Sequence, residues 1–275
     1  MGPYVLAAAT GFGPRLVSLR LRHGPELFAR LGDDLVIEHP ESGTYRFHGG
    51  HRLWAAPEVP AISYASDDHH CGVTGGPDWL AIEAPADSAG LIKHLSAKLE
   101  GQRLVVDHQL ANSGPRPISV APWGITQFRL GGVAVLPTGN TGVQNSFQGN
   151  CSLVIWPYTN LADPRLSWRR RAAVIEAVPG PRFKIGSGPG PGRIGYLIDN
   201  QLFTKEIPPA GDGIYSDRGA VAQVFVDDSF CELESLGPIT ALEPGSSVSH
   251  REVWEISDCA DVATAYERVT GDASR

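Results

Sequence analysis

Leu104-Val105-Val106-Asp107-His108-Gln109-Leu110-Ala111-Asn112-Ser113-Gly114-Pro115 is the segment on which the fold turns. From Leu104 to Leu110 the chain alternates, with Leu104, Val106, His108 and Leu110 on one face, the two-residue period of a half-buried β-strand. Asn112-Ser113-Gly114-Pro115 then supplies the residues that turns need sterically. A histidine on the apolar face of such a strand is by default a hydrogen-bonded core residue. Just upstream, Leu91, Leu95 and Leu99 are four apart, as on a helix face. Gly101 and a clear strand follow at once, so a hairpin turning near Glu100-Gly101-Gln102 is the preferred reading.

The same signature extends outward in both directions. Leu16–Arg22 alternates Val17, Leu19 and Leu21 with polar residues, and further β-type runs cover Cys151–Pro157, Ala172–Val178, Arg193–Ile198, Val221–Val226, Phe230–Leu236 and Ser247–Ile256. Turn clusters separate them, including Gly186–Gly192, which reads as a long surface loop and, with its prolines and no following Gly-Lys-Ser/Thr, not as a phosphate cradle. One helix is expected, Asp258–Val269 (about 258–270), capped by Ser257 or Asp258. No internal repeat or composition break divides the chain, so residues 1–275 are read as a single all-β domain.

Composition narrows the function. The 275 residues carry 32 glycines and 22 prolines, spread along the chain, and a net charge of −7. An acidic chain without a basic, aromatic-interleaved stripe is not expected to bind nucleic acid. No apolar run is long enough to span a membrane, and the start lacks the basic front of a secretory signal. Cys71, Cys151, Cys231 and Cys259 are scattered without CxxC spacing, which supports neither a zinc cluster nor a disulfide framework. The simplest setting is a reducing cytoplasm.

Three segments carry candidate chemistry. In Gly49-Gly50-His51-Arg52-Leu53-Trp54, His51 is suited to proton transfer near neutral pH, Arg52 to paired ligand oxygens, and Trp54 to stacking on a sugar face. In Phe230–Pro238, alternation puts Glu232 and Glu234 on one face with Phe230 and Leu236, and Cys231 and Leu233 on the other. A carboxylate on such a partly desolvated face becomes a base useful near pH 7. Ser66-Asp67-Asp68-His69-His70-Cys71 holds metal-ligand types but lacks a regular spacing, and reads as a polar loop at a pocket rim; no metal or other cofactor is expected. Lys205, after Leu202-Phe203-Thr204, is read as a snorkelling lysine or a pocket cation. Trp123 and Gln127 complete the candidate binding set.

Taken together, Gly50-His51-Arg52-Leu53, Leu110–Val120 and Leu233-Glu234-Ser235 followed by Leu242-Glu243-Pro244-Gly245 and Ser249-His250-Arg251 resemble the galactose mutarotase-like (aldose 1-epimerase-like) superfamily. The resemblance runs from about Gly13 to Ile256. It implies a β-supersandwich with a sugar on the concave face of a large sheet, Glu234 as the base that takes the anomeric hydroxyl proton, and Arg52 as a hydroxyl ligand. It also implies a histidine acid after the Asn112 hairpin. There this chain reads Ala121-Pro122-Trp123-Gly124-Ile125-Thr126-Gln127, without one. The available substitutes are His51, His69, His70 and Lys205, with His51 first because it adjoins Arg52.

The expected function is therefore proton transfer on a sugar or sugar-like small molecule, of the aldose epimerase type. Glu234 and His51 would be catalytic. Arg52, Trp54, Trp123, Gln127, Lys205 and Glu232 would bind substrate. The alternatives are a carbohydrate-binding module without catalysis, and isomerase or lyase chemistry on an anionic non-sugar, for which Arg52 and Lys205 would supply positive charge.

Overall fold

The computed structural model describes residues 1–275 except 41, 139–146, 148, 150, 191, 210 and 273–275. Antiparallel strands dominate it, as alternation and turn spacing require. One sheet has nine strands, with Gly50–Ala56, Ile118–Phe128, Cys231–Leu236, Ala222–Val226 and Phe183–Ser187 side by side at its centre. The other has ten, among them Gln201–Glu206, Ser247–Asp258, Arg103–Asn112 and Leu91–Glu100 as consecutive neighbours. The expected hairpin is formed: Leu91–Glu100 pairs with Arg103–Asn112 from Leu91↔Asn112 to Glu100↔Arg103. Gly101 makes the turn at φ 64°, a left-handed conformation that glycine adopts without a Cβ clash.

The sheets bury their apolar faces against one another. Leu16, Leu19, Phe128, Ile185, Val224 and Leu233 come from the first sheet, and Leu95, Leu104, Val106, Tyr196, Phe203 and Trp254 from the second; all belong to one core cluster. Each such side chain contributes about 1.5–3 kcal/mol when fully removed from water. Because side chains alternate across a strand, the inward residues of the first sheet are the odd-numbered ones in Cys231–Leu236, and the even-numbered ones point to its outer face.

The strand expected over Arg193–Ile198 has those bounds, and those over Ala172–Val178 and Phe230–Leu236 are displaced by a single residue at one end. Strands also stand where none was expected, among them Gly50–Ala56, Ile118–Phe128, Phe183–Ser187 and Gln201–Glu206. The strand Phe183–Ser187 takes Gly186 and Ser187 out of the expected Gly186–Gly192 loop, in which residue 191 lies outside the described residues. The C-terminal helix is Val262–Thr270, later than expected, because the strand from Ser247 continues to Asp258. Its cap is Asp261, whose carboxylate accepts from the Thr264 amide at 2.8 Å, and Gly271 ends it at φ 65°. The helix packs Ala265, Tyr266 and Val269 onto Val135, Val174, Leu197 and Leu202 on the far side of the ten-stranded sheet. Among the described residues no helix is long and apolar enough to cross a membrane.

Candidate active site

Register builds a site on the outer face of the nine-stranded sheet, the one turned away from the second sheet. Ile125 sits between Arg52 and Glu234, and Gln127 between Gly50 and Glu232. On the far side Glu232 pairs with Phe225, and Phe225 with Lys184. One face of five neighbouring strands thus carries Arg52, Trp54, Trp123, Glu232, Glu234, Phe225 and Lys184. Above it opens a cavity of about 230 Å³, whose wall includes Arg52, Trp54, Trp123, Lys184 and Glu232. Phe47, Tyr64, Trp156, Tyr158, Phe225 and Phe230 complete an aromatic collar.

Two diagonal ion pairs cross this floor. Arg52 Nη2 donates to Glu232 Oε1 at 3.0 Å, and Lys184 Nζ donates to Glu234 Oε2 at 2.9 Å. Trp123 Nε1 donates to the same Glu234 oxygen at 2.8 Å. Glu234 lies directly behind the wall that Lys184 and Trp123 form, and its Oε1 has no partner. Burial pushes the Glu234 carboxyl up to about 7; Lys184 and the Trp123 bond oppose the rise, and the Glu232 charge adds to it. A carboxyl so placed, held by two hydrogen bonds, can exchange a proton near neutral pH.

The walls are stiff. The Arg52 guanidinium lies 4.2 Å from the Trp54 ring centroid, and Trp54 meets Trp123 edge-on at 5.5 Å. Trp54 Nε1 donates to the Tyr45 hydroxyl, which also receives Arg15 Nη2. Arg15 in turn is anchored on Asp67 at 2.6 Å. Arg52 keeps Nε and Nη1 without partners although it is 1% exposed. Unpaired buried donors cost about 1–3 kcal/mol each unless a ligand takes them. They are donors ready for hydroxyl oxygens. The Lys184 ammonium stands 4.9 Å from the Trp123 ring and 4.7 Å from that of Trp156.

Two expected site residues lie elsewhere. His51 is next to Arg52 in sequence, but consecutive side chains on a strand point to opposite faces, so His51 enters the space between the sheets. Lys205 enters the same space from the opposite sheet and pairs with Glu252 at 3.0 Å, both wholly buried. Neither reaches the cavity. Gln127 shares that outer face but is not part of the cavity wall, and neither of its side-chain amide atoms is hydrogen-bonded. Lys184 was missed because no strand was assigned around it. Its signal is the alternation Arg182, Phe183, Lys184, Ile185, with Phe183 and Ile185 apolar.

Between the sheets lies a polar cluster whose tautomers follow from its partners. His108 Nδ1 donates to the His250 carbonyl at 3.1 Å, so its Nε2 accepts from His51 Nε2 at 2.7 Å. His51 Nδ1 then accepts from the Thr126 hydroxyl at 2.8 Å. His250 Nε2 donates to Ser235 Oγ at 2.7 Å, and Ser235 donates to Glu252. Burial lowers all three imidazoles, His250 to about 4. For Glu252, burial would raise the carboxyl, but Lys205 and the histidines outweigh it and keep it ionised.

Two groups have metal-ligand proximity, His51 with His108 and Glu252, and His48 with Asp67 and Asp68. In the first, Lys205 already neutralises Glu252 and the imidazoles bond one another. In the second, Arg15 holds Asp67 and Arg46 holds Asp68, while His48 bonds Asp68 at 2.6 Å. Each carboxylate already has a cation, so neither donor set favours an added one. His69 and His70, in the loop carrying Asp67 and Asp68, are not part of the cavity wall.

No protein-family model matches the chain, and no curated protein matches it in sequence. Solved structures do. A galactose mutarotase-like protein from Clostridium acetobutylicum superposes with a TM-score of 0.55 at 10% identity, over 94% of this chain and 93% of that one. One from Lactobacillus casei gives 0.51 at 12% identity, over 94% and 98%. An Escherichia coli K12 protein provisionally assigned as an aldose 1-epimerase gives 0.51 at 12% identity, over 93% and 99%. At these identities the likeness establishes the fold.

Proposed function

We propose that this chain, which has the galactose mutarotase-like fold, is a proton-transfer enzyme of the aldose epimerase type, acting on a neutral reducing sugar. The observation that carries the reading is Glu234: a carboxyl kept from water, poised near pH 7, and hydrogen-bonded to two residues that wall an aromatic cavity. A general base works best when its pKa is near the working pH. Aromatic walls suit the apolar C–H faces of a sugar, and a few convergent polar groups orient its hydroxyls.

Charge balance supports a neutral ligand. Arg52 and Lys184 are each matched to a carboxylate, so the cavity floor offers hydrogen-bonding groups without net positive charge. With Lys205 between the sheets, an anionic substrate loses one of the two cations on which that alternative rested. In the proposed reaction Arg52 and Glu232 hold hydroxyls, Trp54 and Trp123 stack on the ring, and Glu234 takes the anomeric hydroxyl proton so that the ring opens.

One-dimensional exchange NMR on freshly dissolved glucose and galactose tests this. The wild type is expected to accelerate anomeric exchange, and Glu234→Gln to reduce it by about 10²–10⁴-fold, the usual contribution of a general base. Unchanged exchange in the variant would mean that Glu234 is not the base. Saturable sugar binding without exchange in the wild type would make the protein a binding module.

A further inference from the structure

We propose that Lys184 is the proton donor of this site, delivering a proton to the ring oxygen while Glu234 removes one from the anomeric hydroxyl. This rests on the epimerase reading above and goes beyond it, because ring opening needs an acid as well as a base.

The cavity itself selects the donor. No histidine belongs to its wall among the described residues. Its cations are Arg52, Arg182 and Lys184, and an arginine does not give up its proton in a protein. Its phenols, Tyr64 and Tyr158, have their acidity weakened by burial and by neighbouring carboxylates. Tyr64 is also tied to Glu58. The wall carboxyls are all engaged as acceptors, Glu232 by Arg52, Glu58 by the Tyr64 hydroxyl and Asp227 by the amides of Ser229 and Phe230, which leaves Lys184, an ammonium with three donor protons and only one carboxylate partner. Its position fits the geometry of the reaction. The anomeric hydroxyl oxygen and the ring oxygen share one carbon, so base and acid must stand side by side. Glu234 Oε2 and Lys184 Nζ are 2.9 Å apart. Trp123 fixes the carboxylate, and the rings of Trp123 and Trp156 flank the ammonium.

The step balances. Glu234 accepts the proton of O1, and the released electron pair forms the C1=O1 double bond. The C1–O5 bond breaks with its electrons passing to O5, which takes a proton from Nζ. The site now holds a carboxylic acid beside a neutral amine, with net charge unchanged. Rotation about C1–C2 presents the other face of C1. The reverse transfers then close the ring as the opposite anomer and restore both groups. No cofactor or further reactant is consumed.

The test compares anomeric exchange of glucose and galactose by wild type, Lys184→Met, Lys184→Arg and Glu234→Gln, with sugar binding followed through tryptophan fluorescence. Arginine keeps the positive charge but does not deliver a proton, so it separates an acid from a positioning charge. Lys184→Met and Lys184→Arg are both expected to lose about 10²-fold or more in kcat with binding kept within a few-fold. Recovery of exchange to within tenfold by Lys184→Arg, or exchange unaffected by Lys184→Met, would overturn the assignment while leaving Glu234 and the epimerase reading in place. A wild type that accelerates no sugar would overturn both. The double variant Lys184→Met/Glu234→Gln, which leaves no lone buried charge, is the folding control for the single substitutions.

Discussion

Replacing Glu252 by Gln isolates the Lys205 charge between the two sheets, and the cost follows from the surroundings. Lys205 Nζ and Glu252 Oε1 are 3.0 Å apart, and both side chains are 0% exposed. After the substitution, Lys205 keeps contacts to the carbonyls of Leu233 at 3.1 Å and Gly124 at 3.5 Å, which solvate but do not neutralise it. Breaking a buried pair by removing one partner costs about 3–5 kcal/mol. For a chain of this size that corresponds to a fall in Tm of roughly 6–10 °C. Urea unfolding of Glu252→Gln, Lys205→Met and the double variant measures it. The double variant is expected to recover much of the loss, because it removes both charges together. A cost below about 1 kcal/mol for Glu252→Gln, or strictly additive costs in the double variant, would refute the reading of this pair as a mutually dependent buried charge couple.

Two further outcomes are expected. His250, facing His108, Glu252, Lys205 and Ser235 within the core and Asp107 and Arg251 at the surface, has its pKa lowered to about 4. The unfolded chain therefore binds this proton first as pH falls. The stabilising contribution is complete above about pH 6.5 and is lost on the way down to pH 4, by about 3 kcal/mol. Unfolding free energies at pH 7 and 4 are expected to differ by that much less in His250→Gln than in wild type, and equal pH dependence would contradict the burial argument. Trp123→Phe removes a hydrogen bond that favours ionised Glu234. Its carboxyl is expected to rise from about 7 to about 8, moving the acid limb of the exchange–pH profile upward, since such a bond contributes about 1.5 kcal/mol.

The fold was legible because it rests on short-range regularities. Alternation in Leu104–Leu110 and turn residues at Asn112–Pro115 need no knowledge of distant contacts. The leucines at 91, 95 and 99 show the limit: their spacing is helical, yet they lie in a ten-residue strand because pairing with Arg103–Asn112 satisfies every rung. The strand Ile118–Phe128 was hidden by Pro122 and Gly124. Gly124 is required there, since a Cβ would come 2.5 Å from Glu252 Oε1. The helix start was displaced because Ser257 and Asp258 resemble caps, while Leu202↔Ser257 and Gln201↔Asp258 pairing extends the strand past them.

By itself the sequence determined the all-β architecture and the face shared by Glu232 and Glu234, because each depends only on the period of two along a strand. Which faces meet across the molecule was decided by tertiary structure alone. His51 adjoins Arg52 by one peptide bond and lies on the other side of the sheet, packed against His108 from a strand 57 positions away. Lys184 is 50 positions from Glu234 and touches it. Strand order across a sheet is set by long-range hydrogen bonding and burial, which no local pattern encodes, and here that order brought a lysine to the base.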